Sequence, residues 1–156
     1  DKTFSYSKYG HFKIKIENAL LRLPNDLYSI LRLPMIFGKN APRLKEIKTL
    51  YDLKEPIEVF PNVVLNATSI QKFTQQTHYI INRELNGVFH LGSKDLIHHN
   101  ELIDKFCYRL RYKDPLFKQV YNSNDDRCIA VIPRDNLLPE NYQITIDEVV
   151  DNSILL

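Results

Sequence analysis

Helix-like and strand-like segments alternate along most of this chain, and that alternation constrains the fold more than any other feature. Apolar residues at Phe12, Ile16, Ala19, Leu20 and Leu23 repeat at helical spacing until Pro24 stops them. "DLYSILRLP" comes next, a β-rich run without clean in-out alternation, which predicts a strand buried on both faces of a parallel sheet. Pro34 and Gly38 punctuate its exit, and Pro42 suits the first position of a helix with Leu44, Ile47, Leu50 and Tyr51 on one face. "EPIEVFP" predicts a short strand. The next helix has Thr68 and Gln71 spaced as a capping box, with Ile70, Phe73, Thr77, Ile80 and Ile81 as its inner face. "NGVFHLGS" predicts a strand and "HNELIDKFCYRL" a helix with Leu102, Ile103, Phe106 and Leu110 inside. The last forty or so residues are less regular. They contain an extended "RCIAVIP" and a short helix capped by Thr145 with Glu148. Strands separated by helices imply an α/β sheet with parallel pairing.

The chain has 156 residues, enough to bury a core, and its composition of 44% hydrophobic and 26% charged residues argues against disorder. A net charge of +2 with interleaved signs gives no footprint for nucleic acid, and no apolar run reaches the length of a membrane span. The aromatic and cationic run Tyr108, Arg109, Arg111, Tyr112 and Lys113 is too short to change that and reads as a solvated helix end. Cys107 and Cys128 match no metal or redox spacing, which fits reduced thiols in a cytoplasmic protein. His98 and His99 are adjacent and so point apart, and they read as polar residues at a helix start. No metal site is expected. Asp1 opens the chain and Met35 is its one methionine, so the chain is expected to be a piece of something longer.

"YGHFK" places Tyr9 and Lys13 four residues apart, on one face of the first helix. A positioned tyrosine beside an ammonium can give a proton to a carbonyl oxygen as hydride arrives. With nine tyrosines in the chain, about three-quarters of such a pair arises by chance, so spacing alone does not establish the chemistry.

The segments downstream of the pair add the context that spacing lacks. A helix opens on Tyr9-Gly10-x-x-Lys13 and continues to Glu17. The next strand ends in Arg32-x-x-x-x-Phe37-Gly38. A segment "EVFPNVVLNATSIQKF" then opens a helix, and a strand carries Gly87, Phe89 and His90. In this order the landmarks resemble the C-terminal half of the extended short-chain dehydrogenase/reductases, most of all the dTDP-4-dehydrorhamnose reductases and related sugar-nucleotide reductases. The likeness covers about residues 6 to 110 and weakens in the tail.

The resemblance implies the C-terminal part of a Rossmann-like NAD(P)-binding fold. Residues 1–60 would be the end of that core and 61–156 a substrate-binding subdomain. It implies a reductase of nucleotide-activated 4-keto-deoxysugars, using NADP or NAD. Tyr9 would be the catalytic acid, and Lys13 would hold the nicotinamide ribose and tune the phenol. Leu33, Pro34 and Met35 would lie beside the nicotinamide, and Arg32 would support that loop. Asn62, Asn66, Thr68 and His90 would face the substrate. The family's Pro-Thr is Ala67-Thr68 here and its Asp-Leu is Lys72-Phe73, so the substrate contacts differ. A sugar-nucleotide epimerase or dehydratase, and a non-catalytic regulatory subunit of the same fold, remain alternatives.

Gly10, Gly38, Gly87 and Gly92 form no glycine-rich phosphate turn, and Thr3, Ser5 and Ser7 sit too near Tyr9 to be its hydroxyl partner. The chain alone is therefore expected to be inactive. It is also expected to pair with its own N-terminal half or to self-associate through uncovered apolar surface.

Overall fold

A computed structural model describes residues 5, 7–121, 124–133 and 137–154, so Thr3 lies outside the described residues. Helix α1 spans Lys8–Leu20, where Ser7 caps its start by accepting the Gly10 N–H at 2.9 Å. Strands β1 (Ser29–Arg32) and β2 (Met35–Phe37) are separated by Leu33 and Pro34. Helix α2 (Pro42–Asp52) begins on the expected proline and buries Leu44 and Ile47. Short strands β3 (Ile57–Val59), β4 (Val63–Leu65) and β5 (Ala67–Ser69) lead into α3 (Ile70–Asn82). Then come β6 (Gly87–His90), β7 (Ile97–His98), α4 (His99–Arg109), β8 (Phe117–Gln119), β9 (Arg127–Cys128) and α5 (Ile146–Ile154).

Pairing is mainly parallel, as helix-separated strands require. β1 pairs with β6, β2 with β5, β3 with β8 and β4 with β9, all parallel, while β4 and β7 run antiparallel. Beyond β6 the chain stays in contact with this framework: the Leu91 N–H reaches the Arg32 carbonyl at 3.0 Å and the Ser93 N–H the Ala67 carbonyl at 2.8 Å. The expected α/β architecture is present.

Two apolar cores lie along it. The larger joins Phe37, Ile47, Ile57, Leu65, Phe106 and Val149, with the Phe37 and Phe106 rings 4.8 Å apart. The smaller holds Ile80, Phe89, Leu91 and Leu138, with Leu31, Leu33 and Phe73 packed against it. Each core joins residues far apart in the chain, so the segments are interleaved rather than laid end to end.

Three local expectations need correction. β1 is not buried on both faces: Ser29 is exposed and Ile30 to Arg32 are half-buried, because β6 is its one partner strand among the described residues. The cap of α3 is Ser69, whose Oγ accepts the Lys72 N–H at 3.2 Å; Thr68 is drawn into β5 by pairing with Ile36. The inner face of α3 is Phe73, Gln76, Thr77 and Ile80, while Ile70 and Ile81 face outward. The box at α5 holds as expected. The Thr145 N–H donates to Glu148 Oε2 at 2.7 Å and the Glu148 N–H to Thr145 Oγ1 at 3.3 Å.

His98 and His99 do point apart. The His98 ring donates to the Pro61 carbonyl at 2.8 Å, and the buried His99 accepts the Phe60 N–H at 3.2 Å. Among the described residues, no helix is long and apolar enough to cross a membrane.

Candidate active site

On α1 the Lys13 ammonium stands over the Tyr9 ring, 5.5 Å from its centroid. Helical spacing alone produces this approach. Tyr9 is 72% exposed, and its hydroxyl has no hydrogen-bond partner among the described residues. The pair therefore presents a proton donor and a cation side by side on an open surface.

Glu17 continues the same row, one turn further on. It is tied to Arg32 at the end of β1: Glu17 Oε1 accepts from Arg32 Nε at 3.1 Å and also from Nη2. Arg32 in turn meets His90, its register partner on β6, at 3.1 Å. His90 donates through Nδ1 to the Ile132 carbonyl at 2.8 Å. The Arg32 expected to support a loop thus supports the helix of the Tyr–Lys pair. The His90 expected to touch substrate has both ring nitrogens engaged.

The other expected substrate contacts are buried, and both asparagines are bonded inside the fold. Asn66 is buried, and its carboxamide donates to the Ser93 and Val131 carbonyls at 3.0 and 2.8 Å and accepts the Val131 N–H at 2.9 Å. Asn62 is buried and donates to the Asp125 carbonyl at 3.1 Å. Thr68 has no exposed surface. Leu33, next to Pro34 between β1 and β2, packs on the smaller core, whereas Met35 is 41% exposed.

A cleft of about 460 Å³ opens at the carboxyl ends of the parallel pair β2 and β5, between Phe37, Gly38, Lys39, Ile70 and Gln71. Such ends are where open α/β sheets take ligands. Gly38 permits the close approach that shapes this cleft, since a Cβ there would stand 2.8 Å from Ile70 Cγ2. Sequence reasoning misses these residues as a site; the one signal for them is the turn that Pro34 and Gly38 mark.

For a nicotinamide cofactor the fit is divided. Tyr9, Lys13 and Met35 are accessible, which suits the nicotinamide end. The pyrophosphate end has no cradle among the described residues. The space that a Cβ would take at Gly10, Gly38 or Gly92 is filled by Ser5, Ile70, or Asn66 and Val131.

No family model matches the chain, and no curated protein does. Solved structures do. The dTDP-4-dehydrorhamnose reductase of Clostridium acetobutylicum superposes with a TM-score of 0.79 at 20% identity, covering 99% of this chain and 57% of that one. The dTDP-4-dehydrorhamnose reductase of Bacillus anthracis, in complex with NADP, gives 0.77 at 20% identity over 94% of this chain and 53% of its own. The UDP-glucuronic acid 4-epimerase of Bacillus cereus, in complex with NAD, gives 0.70 at 15% identity over 96% and 50%. The likeness is one of fold, and the chain spans about half the length of these structures.

Proposed function

We propose that this chain is the C-terminal, substrate-side portion of an NAD(P)-dependent reductase of nucleotide-activated 4-keto-deoxysugars, with dTDP-4-dehydrorhamnose the first substrate to test. The observation that carries the reading is the Lys13 ammonium over the Tyr9 ring, on the opening helix of a fold shared with such reductases. A bound nicotinamide supplies the hydride. Tyr9 gives its phenolic proton to the C4 oxygen as the C4 carbon accepts that hydride, so the ketone becomes an alcohol and the phenol a phenolate. Lys13 holds the ribose hydroxyls and stands by the charge that develops on Tyr9. Leu33, Pro34 and Met35 border the nicotinamide through their backbone. Residues 1–60 bring the catalytic helix and the strand after it, and 61–156 the substrate side.

The cofactor's phosphates and the remaining sheet come from a further part of the same enzyme, so this chain by itself binds NADPH weakly and turns nothing over. The setting is cytoplasmic, in keeping with two unpaired cysteines. In the full-length enzyme, Tyr9→Phe lowers kcat for NADPH-dependent reduction by about 10²-fold or more. Lys13→Met lowers kcat and also weakens NADPH binding. Reduction at the wild-type rate by Tyr9→Phe rejects the assignment. A 4-epimerase or dehydratase is the second reading, favoured by the fold shared with the 4-epimerase. It is told apart by its cofactor, which such an enzyme regenerates in each cycle instead of consuming.

A further inference from the structure

Helix α1 buries none of its residues. Gly10, Ile14, Glu17 and Leu20 are half-buried, and the apolar stripe through Phe12 and Ile16 faces outward. Apolar packing is therefore a weak determinant of how far the helix is rotated about its own axis. Yet Tyr9 and Lys13 can serve a substrate only if that rotation is fixed. Positions 9, 13 and 17 form one row, so whatever holds Glu17 aims the other two.

The geometry points to Glu17, Arg32 and His90 as a positioning clamp that fixes the rotation of the Tyr9–Lys13 helix and ties it to the backbone at Ile132. The role of the helix rests on the functional reading above; the clamp itself rests on contacts. Among the described residues, the Glu17–Arg32 ion pair is the one side-chain polar link between α1 and the rest of the fold. It is partly withdrawn from water, with the Glu17 side chain 18% exposed and that of Arg32 36%. Two guanidinium nitrogens share one carboxylate oxygen, a charge-assisted contact that restricts direction as well as distance.

Arg32 is itself held from behind. Its Nη1 faces His90 Nε2, and His90 Nδ1 faces the Ile132 carbonyl. A carbonyl only accepts and a guanidinium only donates, so the ring carries its proton on Nδ1 and offers a lone pair at Nε2. His90 thus joins a donor to an acceptor, which an apolar residue cannot do. The far end is firm as well, because Val131, next to Ile132, is gripped in both directions by Asn66. Four segments remote in sequence meet in this line. Glu17, Arg32 and His90 are positioning residues, since none of them need touch substrate.

Amide hydrogen exchange on α1 tests the clamp in the chain itself. Glu17→Gln and Arg32→Met each speed exchange of the α1 amides by about tenfold while leaving α4 unchanged. The reversed pair, Glu17→Arg with Arg32→Glu, restores most of the protection. His90→Gln, which keeps one acceptor and one donor, stays near wild type, whereas His90→Leu moves toward Arg32→Met. In the full-length enzyme the Glu17→Gln and Arg32→Met substitutions lower kcat and leave the KM for the nucleotide sugar in place. Wild-type exchange on α1 in both Glu17→Gln and Arg32→Met overturns the clamp. Failure of the reversed pair to recover protection, with α4 still unchanged, overturns it too. If the wild-type enzyme reduces no 4-keto sugar nucleotide, the functional reading falls and the exchange data still decide the clamp.

Discussion

Asn66 holds Val131 from both sides, donating to its carbonyl at 2.8 Å and accepting its N–H at 2.9 Å. The two residues are 65 positions apart, so this one carboxamide fastens the irregular tail to the residue before β5 as a neighbouring strand would. Gly92 makes room for it, since a Cβ there would stand 2.6 Å from the Val131 carbonyl oxygen and overlap Asn66. Asn66→Ala strands three backbone groups, and urea unfolding should show a loss of about 1–3 kcal/mol. Asn66→Asp should be worse, because it sets an oxygen against the Ser93 and Val131 carbonyls. If Asn66→Ala unfolds at the wild-type midpoint, the tail is held by something else.

His99 makes the fold sensitive to acid. Burial, with the Arg43 guanidinium adding to it, pushes its imidazole down to about 4 from an ordinary value of 6.5. The folded ring stays neutral and accepts the Phe60 N–H, while the unfolded ring takes up a proton below pH 6.5. Between those two values the unfolded chain binds more protons, so stability falls as pH falls from 6.5 toward 4, by about 3 kcal/mol in all. Denaturant titrations across that window should show the slope, and His99→Gln should flatten it. An unchanged slope in His99→Gln would assign the acid sensitivity to other groups.

What is legible in the sequence divides by the distance between partners. The Thr145–Glu148 box, the proline that starts α2 and the Tyr9–Lys13 approach all depend on residues at most four apart, and local pattern suffices for them. The α3 cap falls one residue beyond the expected one because Thr68 and Ser69 both qualify, and only the pairing of β5 with β2 decides between them. Asn66 is expected at the substrate because the resemblance puts its segment beside the pocket, and His90 because it ends a strand on the pocket side. Their partners, Val131 and Ile132, lie 65 and 42 residues away, where no local pattern reaches. The α1 stripe is apolar at Phe12 and Ile16 as expected, but the helix ends at Leu20, short of Leu23, and the pattern cannot show that it turns a different face, Gly10, Ile14 and Glu17, to its own sheet.

The two cysteines should react very differently. Cys107 is buried in the larger core, and burial, aided by the Asp104 carboxylate, pushes its thiol up to about 11. Cys128 is exposed on β9. A thiolate is the reactive species, so a disulfide reagent should modify one thiol per folded chain quickly and the second only on unfolding. Cys128→Ser should remove the fast phase. A fast phase that survives this substitution would mean that the larger core around Cys107 opens readily.

The outward stripe of α1 makes the last prediction. Phe12 is 60% exposed and Ile16 43%, and no described element covers them. They lie one turn apart on α1, so they form one apolar strip rather than scattered contacts. Such a strip is costly in water, and either a further part of the same enzyme or a second copy of this chain relieves it. Studied alone, the chain has only the second choice and should sediment as a dimer or larger at micromolar concentration. Phe12→Asp with Ile16→Asp should shift it toward the monomer, and because neither side chain belongs to a core the monomer should still unfold cooperatively, with a midpoint that no longer depends on protein concentration. A wild-type chain that sediments as a monomer at the same concentration would show that the strip is not a self-association surface.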